Sequence, residues 1–227
     1  MTLLDFPGRV ACTVFLGGCN FRCPFCHNSE ILDGTEEAVM DDQQLLAFLK
    51  KRQGILDGVC ITGGEPTLKR GLEELLREIK ALGYPVKLDT NGYRPDVLKR
   101  LVEEGLVDYV AMDIKNSPRE YAAAAGIAKL EIARIEESIR FLTSGVVDYE
   151  FRTTVVSQLH SEESIQNMGK WLLETAQHKP RRLFLQSFVD RDTVMFAGLS
   201  APTEAQMARF REILEPFVEM VKIRGEN

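Results

Sequence analysis

The sequence predicts an α/β fold, an open and partial (β/α)6 barrel that forms a single domain over residues 1–227. Short β-branched runs alternate with longer amphipathic stretches, the pattern of repeated strand–helix units around a parallel sheet. About six such units fit into the chain, whereas a closed barrel needs eight units and about 250 residues. No linker-like Pro/Gly/Ser stretch interrupts the alternation. An open side of the barrel would admit a large substrate.

Each predicted strand is a short apolar run, and each predicted helix has apolar residues at helical spacing. The predicted strands are Val10–Phe15, Gly58–Thr62, Val86–Asp89, Tyr109–Ile114, Glu150–Val156 and Leu183–Gln186. The predicted helices are Gln43–Lys51, Leu72–Leu82, Val97–Glu104, Ile132–Ser144, Ile165–Ala176 and Thr203–Leu214. Two helix starts are supported by capping-box spacing, Asp41 with Gln44 and Thr203 with Gln206.

Composition and charge exclude several classes of protein. The chain has 44% hydrophobic and 27% charged residues and a net charge of -6, which is ordinary globular composition. Lys and Arg are scattered and form no basic stripe, so we expect no nucleic-acid partner. The amino-terminal segment lacks the pattern of an export signal, and no run approaches about 18 continuous apolar residues. We therefore expect a cytoplasmic protein with no membrane partner.

Polar and glycine-rich segments follow four of the predicted strands. They read Gly17-Gly18-Cys19, Thr62-Gly63-Gly64-Glu65-Pro66, Asp89-Thr90-Asn91-Gly92 and Asp113-Ile114-Lys115. In parallel α/β proteins the loops at the carboxyl ends of the strands converge on one ligand site. The sequence therefore predicts that all four segments face the same site.

Three of the five cysteines lie within eight residues, as Cys19, Cys23 and Cys26 in C-x3-C-x2-C spacing. They are too close for a disulfide framework in a chain without an export signal, so a metal site is the better explanation. Three thiolates on one short loop can reach three irons of a cubane cluster. Because an ordinary 4Fe-4S site uses four cysteines, the fourth iron would keep an open position for an exogenous ligand.

Two other metal sites are compatible with the same segment. Residues Cys23 to His27 match the C-x-x-C-H signature of c-type haem attachment, but that chemistry belongs to exported proteins and leaves Cys19 unexplained. A structural zinc site could use the three cysteines with His27, although such sites usually draw their ligands from two separated knuckles.

The remaining cysteines and histidines have simpler interpretations. Cys12 and Cys60 lie inside predicted strands, where cysteine commonly serves as a small buried apolar residue. His160 and His178 are isolated from other candidate ligands, so we expect them on the surface or beside helices.

The cysteine loop, combined with Gly63-Gly64-Glu65-Pro66 after the second strand, resembles the radical S-adenosylmethionine superfamily. Finer features resemble the activating enzymes of glycyl radical enzymes, nearest to the anaerobic ribonucleoside-triphosphate reductase activating type. These features are Asp5-Phe6-Pro7-Gly8, Cys26-His27-Asn28, Leu88-Asp89-Thr90-Asn91-Gly92 and Met112-Asp113-Ile114-Lys115. The resemblance extends from about Asp5 to Lys115 and is weaker beyond that point.

The resemblance implies a set of cofactor contacts. The open iron would bind the amino and carboxylate groups of S-adenosylmethionine, with Gly63 and Gly64 lending backbone to the methionine amino group. Glu65 would hold the turn or accept a hydrogen bond from that amino group. Glycine is chemically reasonable because a main chain without Cβ can approach a ligand closely. Phe25 would lie against the adenine, and the backbone of His27 would meet the adenine edge.

The resemblance also assigns roles to charged and polar residues after the later strands. Asp89, Thr90 and Asp113 would hold a monovalent cation beside the cofactor carboxylate, unless the two aspartates merely cap turns. Asn91 counts among the cofactor-binding residues. Lys115 would bring positive charge to the cofactor carboxylate or to the partner. Further along the chain, Arg152 is a candidate for the ribose or the carboxylate, and Gln186 for the place of a cofactor-contacting histidine.

The function implied is reductive cleavage of S-adenosylmethionine and abstraction of a glycine Cα hydrogen from a partner glycyl radical enzyme. The partner would be anaerobic ribonucleotide reductase, and a flavodoxin or a ferredoxin would donate the electron. One alternative is a radical S-adenosylmethionine enzyme that acts on a small molecule such as a 7-deazapurine precursor. Another, from a different class, is a non-enzymatic Fe-S or zinc-binding module.

Overall fold

The computed structural model describes residues 2–225, and within this range it contains one parallel sheet of seven strands in the order β1 to β7. The strands are β1 Ala11–Leu16, β2 Gly58–Gly63, β3 Val86–Thr90, β4 Tyr109–Asp113, β5 Asp148–Val155, β6 Leu183–Ser187 and β7 Val221–Ile223. The α-helices in the same range are α1 Asp42–Lys51, α2 Leu72–Ala81, α3 Pro95–Glu103, α4 Tyr121–Ala125, α5 Ile132–Thr143, α6 Glu162–Ala176 and α7 Glu204–Leu214.

Each strand pairs in parallel with the next strand along the chain, so β1 and β7 are the two edges of the sheet. This order, with helices between successive strands, curls the sheet into a barrel that is not closed. The predicted open, partial barrel is therefore confirmed.

Among the strands and α-helices, the structure adds one strand and one helix that the sequence did not predict. β7 has three residues, too few for a strand pattern to be recognised. α4 is a single short turn of helix that ends at Gly126, whose left-handed backbone terminates it. All six predicted strands and all six predicted helices are present with shifted ends, and both predicted capping boxes form, at α1 and α7.

The two faces of the sheet differ because successive side chains of a strand point to opposite sides. The outer face packs against the helices and is apolar. Its fully buried members include Val59, Ile61, Leu88, Val110 and Phe151. The inner face carries the charged side chains of Lys87, Asp89, Asp113 and Arg152 on β3, β4 and β5, and it leads to the carboxyl ends of the strands.

Expectations about four single residues can now be compared with the structure. Cys60 is fully buried, as expected, and Cys12 is partly buried against the core. His178 is exposed, as expected. His160 lies beside a helix, one of its two expected places, since it directly precedes the N-cap Ser161 of α6. It is not on the surface, because its side chain is only 4% exposed and bonds to backbone groups of Lys115 and Val156. Among residues 2–225, no helix is long and apolar enough to cross a membrane.

Candidate active site

The cysteine loop follows β1 and is held in place by backbone hydrogen bonds. Gly18 donates to the carbonyl of Ile31 (2.7 Å), and Cys19 donates to the carbonyl of Leu32 (2.9 Å). In the middle of the loop, the N–H of Arg22 donates to the carbonyl of Ala125 at the end of α4 (2.9 Å). The start of the loop is therefore anchored to the segment of Ile31 and Leu32, and its middle is anchored to α4.

Alternating side chains fix the conformation of this loop. Phe21, Cys23 and Phe25 are buried in the hydrophobic core. The guanidinium of Arg22 folds back and donates to the carbonyls of Cys19 (2.6 Å) and Phe21 (2.9 Å). The apolar residues of the motif thus pull the loop onto the body of the protein.

The three predicted cluster ligands, Cys19, Cys23 and Cys26, line one pocket at the carboxyl ends of the strands. Every cysteine of the described chain is a free thiol. Burial raises the pKa of Cys19 to about 11, and it also raises the pKa of Cys23. Such thiols become thiolates when metal replaces their protons, so the donor set fits an iron-sulfur cluster.

Within residues 2–225, no three or more His, Cys, Asp or Glu side chains lie close enough together to hold a single metal ion. A cubane does not require that arrangement, because each cysteine binds a different iron. His27 does not complete a zinc site with the cysteines here. Its Nε2 lies 2.6 Å from the carbonyl of Val189, and its ring stacks on Phe188.

Gly63 and Gly64 form the turn after β2, where the main chain comes close to the cysteine loop. The N–H of Gly64 donates to the carbonyl of Leu16 (2.9 Å). A Cβ on Gly64 would overlap the carbonyl of Gly18 and touch Cys19. A Cβ on Gly63, whose φ is +127°, would overlap the backbone of Leu16. The sequence predicts that glycine lets this turn approach a ligand, and the structure shows that contact with the cysteine loop already requires glycine here.

Glu65 does not line the pocket. It is buried, and its carboxylate accepts hydrogen bonds from the N–H and hydroxyl of Thr67, the hydroxyl of Thr90 (2.7 Å) and the N–H of Asn91 (2.7 Å). Burial raises the pKa of Glu65, and these donors oppose that effect. Of its two expected roles, the contacts support holding the turn, since they join the loops after β2 and β3.

Asp89 and Asp113 meet at the ends of β3 and β4, and Arg152 of β5 lies between them. Arg152 donates from Nη1 to Asp89 (2.9 Å) and from Nε to Asp113 (3.0 Å). Lys87 pairs with the other oxygen of Asp89, and Lys115 pairs with the other oxygen of Asp113 (3.0 Å). The two carboxylates are thus neutralised by three cationic side chains of the chain itself.

These contacts decide the charge of the two carboxyl groups. Burial acts to raise the pKa of Asp113, but the charges of Arg152 and Lys115 outweigh burial and hold that pKa at about 2. The pKa of Asp89 is likewise lowered, since Arg152 and Lys87 outweigh burial there. Both groups are carboxylates at neutral pH.

The expected monovalent cation does not fit this arrangement. The guanidinium of Arg152 occupies the space between the two aspartates, and the hydroxyl of Thr90 is engaged with Glu65. The repulsion between Asp89 and Asp113 that made a cation reasonable is already relieved. The aspartates bind basic side chains here, which also differs from the expectation that they cap turns.

The remaining predicted residues lie around the same pocket. Phe25 forms part of its wall, with the ammonium of Lys115 5.9 Å from the centre of its ring. Asn91 donates from its side chain to Asn20 of the cysteine loop (2.8 Å), and Gln186 also lines the pocket. The structure thus brings together in one pocket every predicted site residue except Glu65. Glu65 lies outside the pocket and bonds to Thr90 and Asn91, which line it.

Several lining residues were not identified from the sequence as site residues. They are Phe21, Asn28, Leu32 and Thr154, whereas Thr62 belongs to a segment that the sequence predicts at the site. Asn28 donates to the carbonyl of Gly63 (3.1 Å) and so links the cysteine loop to the glycine turn. Thr154 is the penultimate residue of β5 and lies on the inner face, a position that the strand pattern could have indicated.

Comparison with known proteins agrees with this site. Residues 13–170 match the radical SAM superfamily, which is more than half of the chain. The chain therefore belongs to the radical S-adenosylmethionine superfamily. It is an oxidoreductase of that superfamily, and its cofactors are a 4Fe-4S cluster and S-adenosylmethionine.

Individual relatives refine the comparison. A Methanocaldococcus jannaschii protein, provisionally named a glycyl-radical enzyme activating enzyme, is 29% identical over 238 residues, which cover 100% of this chain and 94% of the relative. SuiB of Streptococcus suis, solved with S-adenosylmethionine, has a TM-score of 0.73 at 13% identity; this chain spans 51% of SuiB, and the match covers 98% of this chain. A domain of the pyruvate-formate lyase-activating enzyme of Bacteroides vulgatus has a TM-score of 0.59 at 19% identity, covering 74% of this chain and 99% of that domain. At these identities the solved structures show the fold.

Proposed function

We propose that the chain is an activating enzyme that abstracts a Cα hydrogen from a glycine of a partner glycyl radical enzyme, with anaerobic ribonucleotide reductase as the partner. The observation that carries the proposal is the match over the whole chain to a relative provisionally named for this activity. The resemblance of the Asp5-Phe6-Pro7-Gly8 and Met112-Asp113-Ile114-Lys115 segments to activating enzymes supports the same function.

The open barrel supports a protein as the substrate. A glycine that belongs to a folded partner can reach the reacting atoms only through an unobstructed side. The edge strands β1 and β7 leave such a side. At the end of β1, Phe15 pairs in register with the pocket residue Thr62 and is 58% exposed, so this part of the inner face is open to a partner.

When bound, the cluster and S-adenosylmethionine would supply one-electron reductive cleavage of the cofactor, with methionine and 5'-deoxyadenosine as products and the glycine hydrogen carried away on the 5'-deoxyadenosine. The chain's residues bind and orient these groups. Cys19, Cys23 and Cys26 hold the cluster through their thiolates. Phe25 offers a flat apolar surface to the adenine.

The charged residues orient the polar end of the cofactor. Lys115 and Arg152 line the pocket and bring positive charge toward a carboxylate there. Gly63 and Gly64 keep the turn after β2 close to the cysteine loop, and Glu65 fixes that turn to the loop after β3. His27 lines the pocket, and its ring is held by stacking on Phe188 and by a contact of Nε2 with the carbonyl of Val189, so its backbone is the part left to meet the adenine edge.

The test is electron paramagnetic resonance on the anaerobically reconstituted enzyme, mixed with anaerobic ribonucleotide reductase, S-adenosylmethionine and reduced flavodoxin. We expect a glycyl radical signal in the reductase and an equal amount of 5'-deoxyadenosine. Ferredoxin should be compared with flavodoxin as the electron donor.

Two controls accompany this experiment. The Cys26→Ala enzyme should give no radical, and a reductase with the reactive glycine replaced by alanine should give none either. If the parent enzyme forms 5'-deoxyadenosine but no radical appears in any glycyl radical enzyme offered, the proposed partner class is wrong. Consumption of a small molecule instead would favour the alternative radical S-adenosylmethionine function.

A further inference from the structure

We infer that Arg152 takes the place of the monovalent cation in this chain, so that the site binds S-adenosylmethionine without a metal cation beside the cofactor carboxylate. The inference rests on the cofactor site of the proposed function and not on its glycyl radical step. It concerns five residues in or just after β3, β4 and β5, whose side chains contact one another: Lys87, Asp89, Asp113, Lys115 and Arg152.

The carboxylate oxygens of Asp89 and Asp113 are already paired with basic side chains. Asp89 Oδ2 is 2.9 Å from Arg152 Nη1, and Asp113 Oδ1 is 3.0 Å from Arg152 Nη2. The other oxygen of Asp89 pairs with Lys87, and the other oxygen of Asp113 is 3.0 Å from Lys115 Nζ. All four oxygens therefore have a cationic partner. A metal ion between the aspartates would have to displace the guanidinium.

The charges of these five side chains do not cancel. Two carboxylates and three cationic side chains leave one positive charge in excess within this group. A metal cation would add a second excess charge in a place that is largely shielded from water, where unpaired charge is unfavourable. One excess positive charge already matches the single carboxylate of the methionine end of the cofactor.

The geometry of the Arg152 guanidinium allows it to bridge the two aspartates. Arg152 pairs in register with Asp113 on the neighbouring strand and reaches past it to Asp89 on the next strand. A guanidinium is planar, is always charged and has five N–H donors, so it can bridge two carboxylates. Its contacts with the aspartates use at most three of these donors. Donors remain for a carboxylate in the pocket that Arg152 lines.

Because the bridge from Arg152 to the two aspartates is mostly buried, water cannot easily replace it. The side chains of Arg152 and Asp89 are each 12% exposed, and that of Lys87 is 1% exposed. If Arg152 is replaced by an apolar residue, the two aspartates face each other without their shared partner. That vacancy between carboxylates is the kind of place where a monovalent cation would bind.

The test is calorimetric binding of S-adenosylmethionine to the anaerobically reconstituted holoenzyme in potassium, sodium and tetramethylammonium salts at equal ionic strength. The parent should bind with the same affinity in all three salts. Arg152→Met should bind at least about tenfold more weakly in tetramethylammonium, and potassium or sodium should restore part of that loss. Arg152→Lys retains a positive charge and should remain independent of the cation.

Line broadening in sodium-23 magnetic resonance gives a readout that does not depend on activity. Arg152→Met should broaden the sodium signal beyond the parent, because only the variant offers the vacant place. If the affinity of the parent falls at least about tenfold when tetramethylammonium replaces potassium, a metal cation belongs to the native site and the inference is overturned. It is also overturned if Arg152→Met binds the cofactor as tightly as the parent in every salt. Should Arg152→Met fail to hold iron, the salt series on the parent decides alone.

Discussion

Leu88 and Asp89 are neighbours on β3, yet they belong to different environments. Leu88 is fully buried under the helices on the outer face of the sheet, whereas Asp89 lines the pocket on the inner face and binds Arg152. The same alternation occurs on β4, where Met112 is buried and Asp113 lines the pocket. β3 and β4 thus contribute to stability through one face and to chemistry through the other. The loops at the strand ends then add the cysteines and the glycine turn.

This separation can be tested first at the cysteines, where the largest effect is expected. Cys23→Ala should remove most of the bound iron and all cleavage of S-adenosylmethionine, because each loop thiolate holds one iron. Cys60→Ala, on a strand, is the matched control and should keep both. Iron analysis and visible absorption of the anaerobically reconstituted proteins measure the outcome. Equal iron loss in Cys23→Ala and Cys60→Ala would contradict the assignment of the loop cysteines as the cluster ligands.

The glycine turn should give the next largest effect. Gly64→Ala would push a methyl group into the carbonyl of Gly18 and against Cys19, so both iron content and cofactor binding should fall severalfold. Gly105→Ala is the control, because a Cβ there meets no atom within 4 Å and only its left-handed backbone adds strain of about 1–2 kcal/mol. If Gly64→Ala keeps full iron and loses only cofactor affinity, the turn serves the ligand rather than the cysteine loop.

Truncation on the outer face should act on stability alone. Leu88→Ala should lower the free energy of unfolding by about 2–5 kcal/mol, because it leaves a cavity in the core. Phe15→Ala on the inner face should lower it by less than about 1 kcal/mol, since Phe15 is 58% exposed. Anaerobic urea denaturation measures both values. A loss of cofactor affinity per folded molecule in Leu88→Ala would show that the two faces are not separable.

The smallest expected effect concerns pH and the loop that carries Lys115. His160 Nδ1 accepts from the N–H of Val156, so its Nε2 donates to the carbonyl of Lys115 (3.0 Å) and ties this loop to β5. Burial lowers the pKa of His160. The folded state therefore binds a proton less readily than the unfolded state, and the stability that neutral His160 contributes is lost as pH falls below about 6.5.

Anaerobic thermal denaturation between about pH 8 and pH 6 should show this loss as a lower melting temperature at the acidic end of the range. His160→Gln should reduce the pH dependence over this range, and the exposed His178→Gln should leave it as in the parent. An unchanged pH dependence in His160→Gln would remove His160 from this role.

The sequence predicted those features that depend on short-range pattern. The cysteine spacing, the glycine turn and the strand–helix alternation are all readable within a few residues, and each is present in the structure. The contacts of Arg152 could not be predicted in this way. They join residues 63 and 39 positions apart, and they depend on the register of three neighbouring strands, which no local pattern fixes.

Support of the cysteine loop by α4 was missed for a similar reason. Gly126 ends α4, and a Cβ there would overlap the carbonyl of Arg22, so a close approach between distant segments determines the residue. The burial of His160 was missed because an isolated histidine before a helix gives no signal of its surroundings. In both cases the tertiary neighbour, and not the local sequence, decides what the residue does.

The most direct test of the account is the amount of methionine and 5'-deoxyadenosine that the anaerobically reconstituted parent forms from S-adenosylmethionine under dithionite. We predict equal amounts of the two products from the parent. Per folded molecule, Cys60→Ala and Leu88→Ala should form as much as the parent, and Cys23→Ala should form none. A parent that carries its full iron and forms neither product, or a Cys23→Ala variant that forms both, would contradict the account.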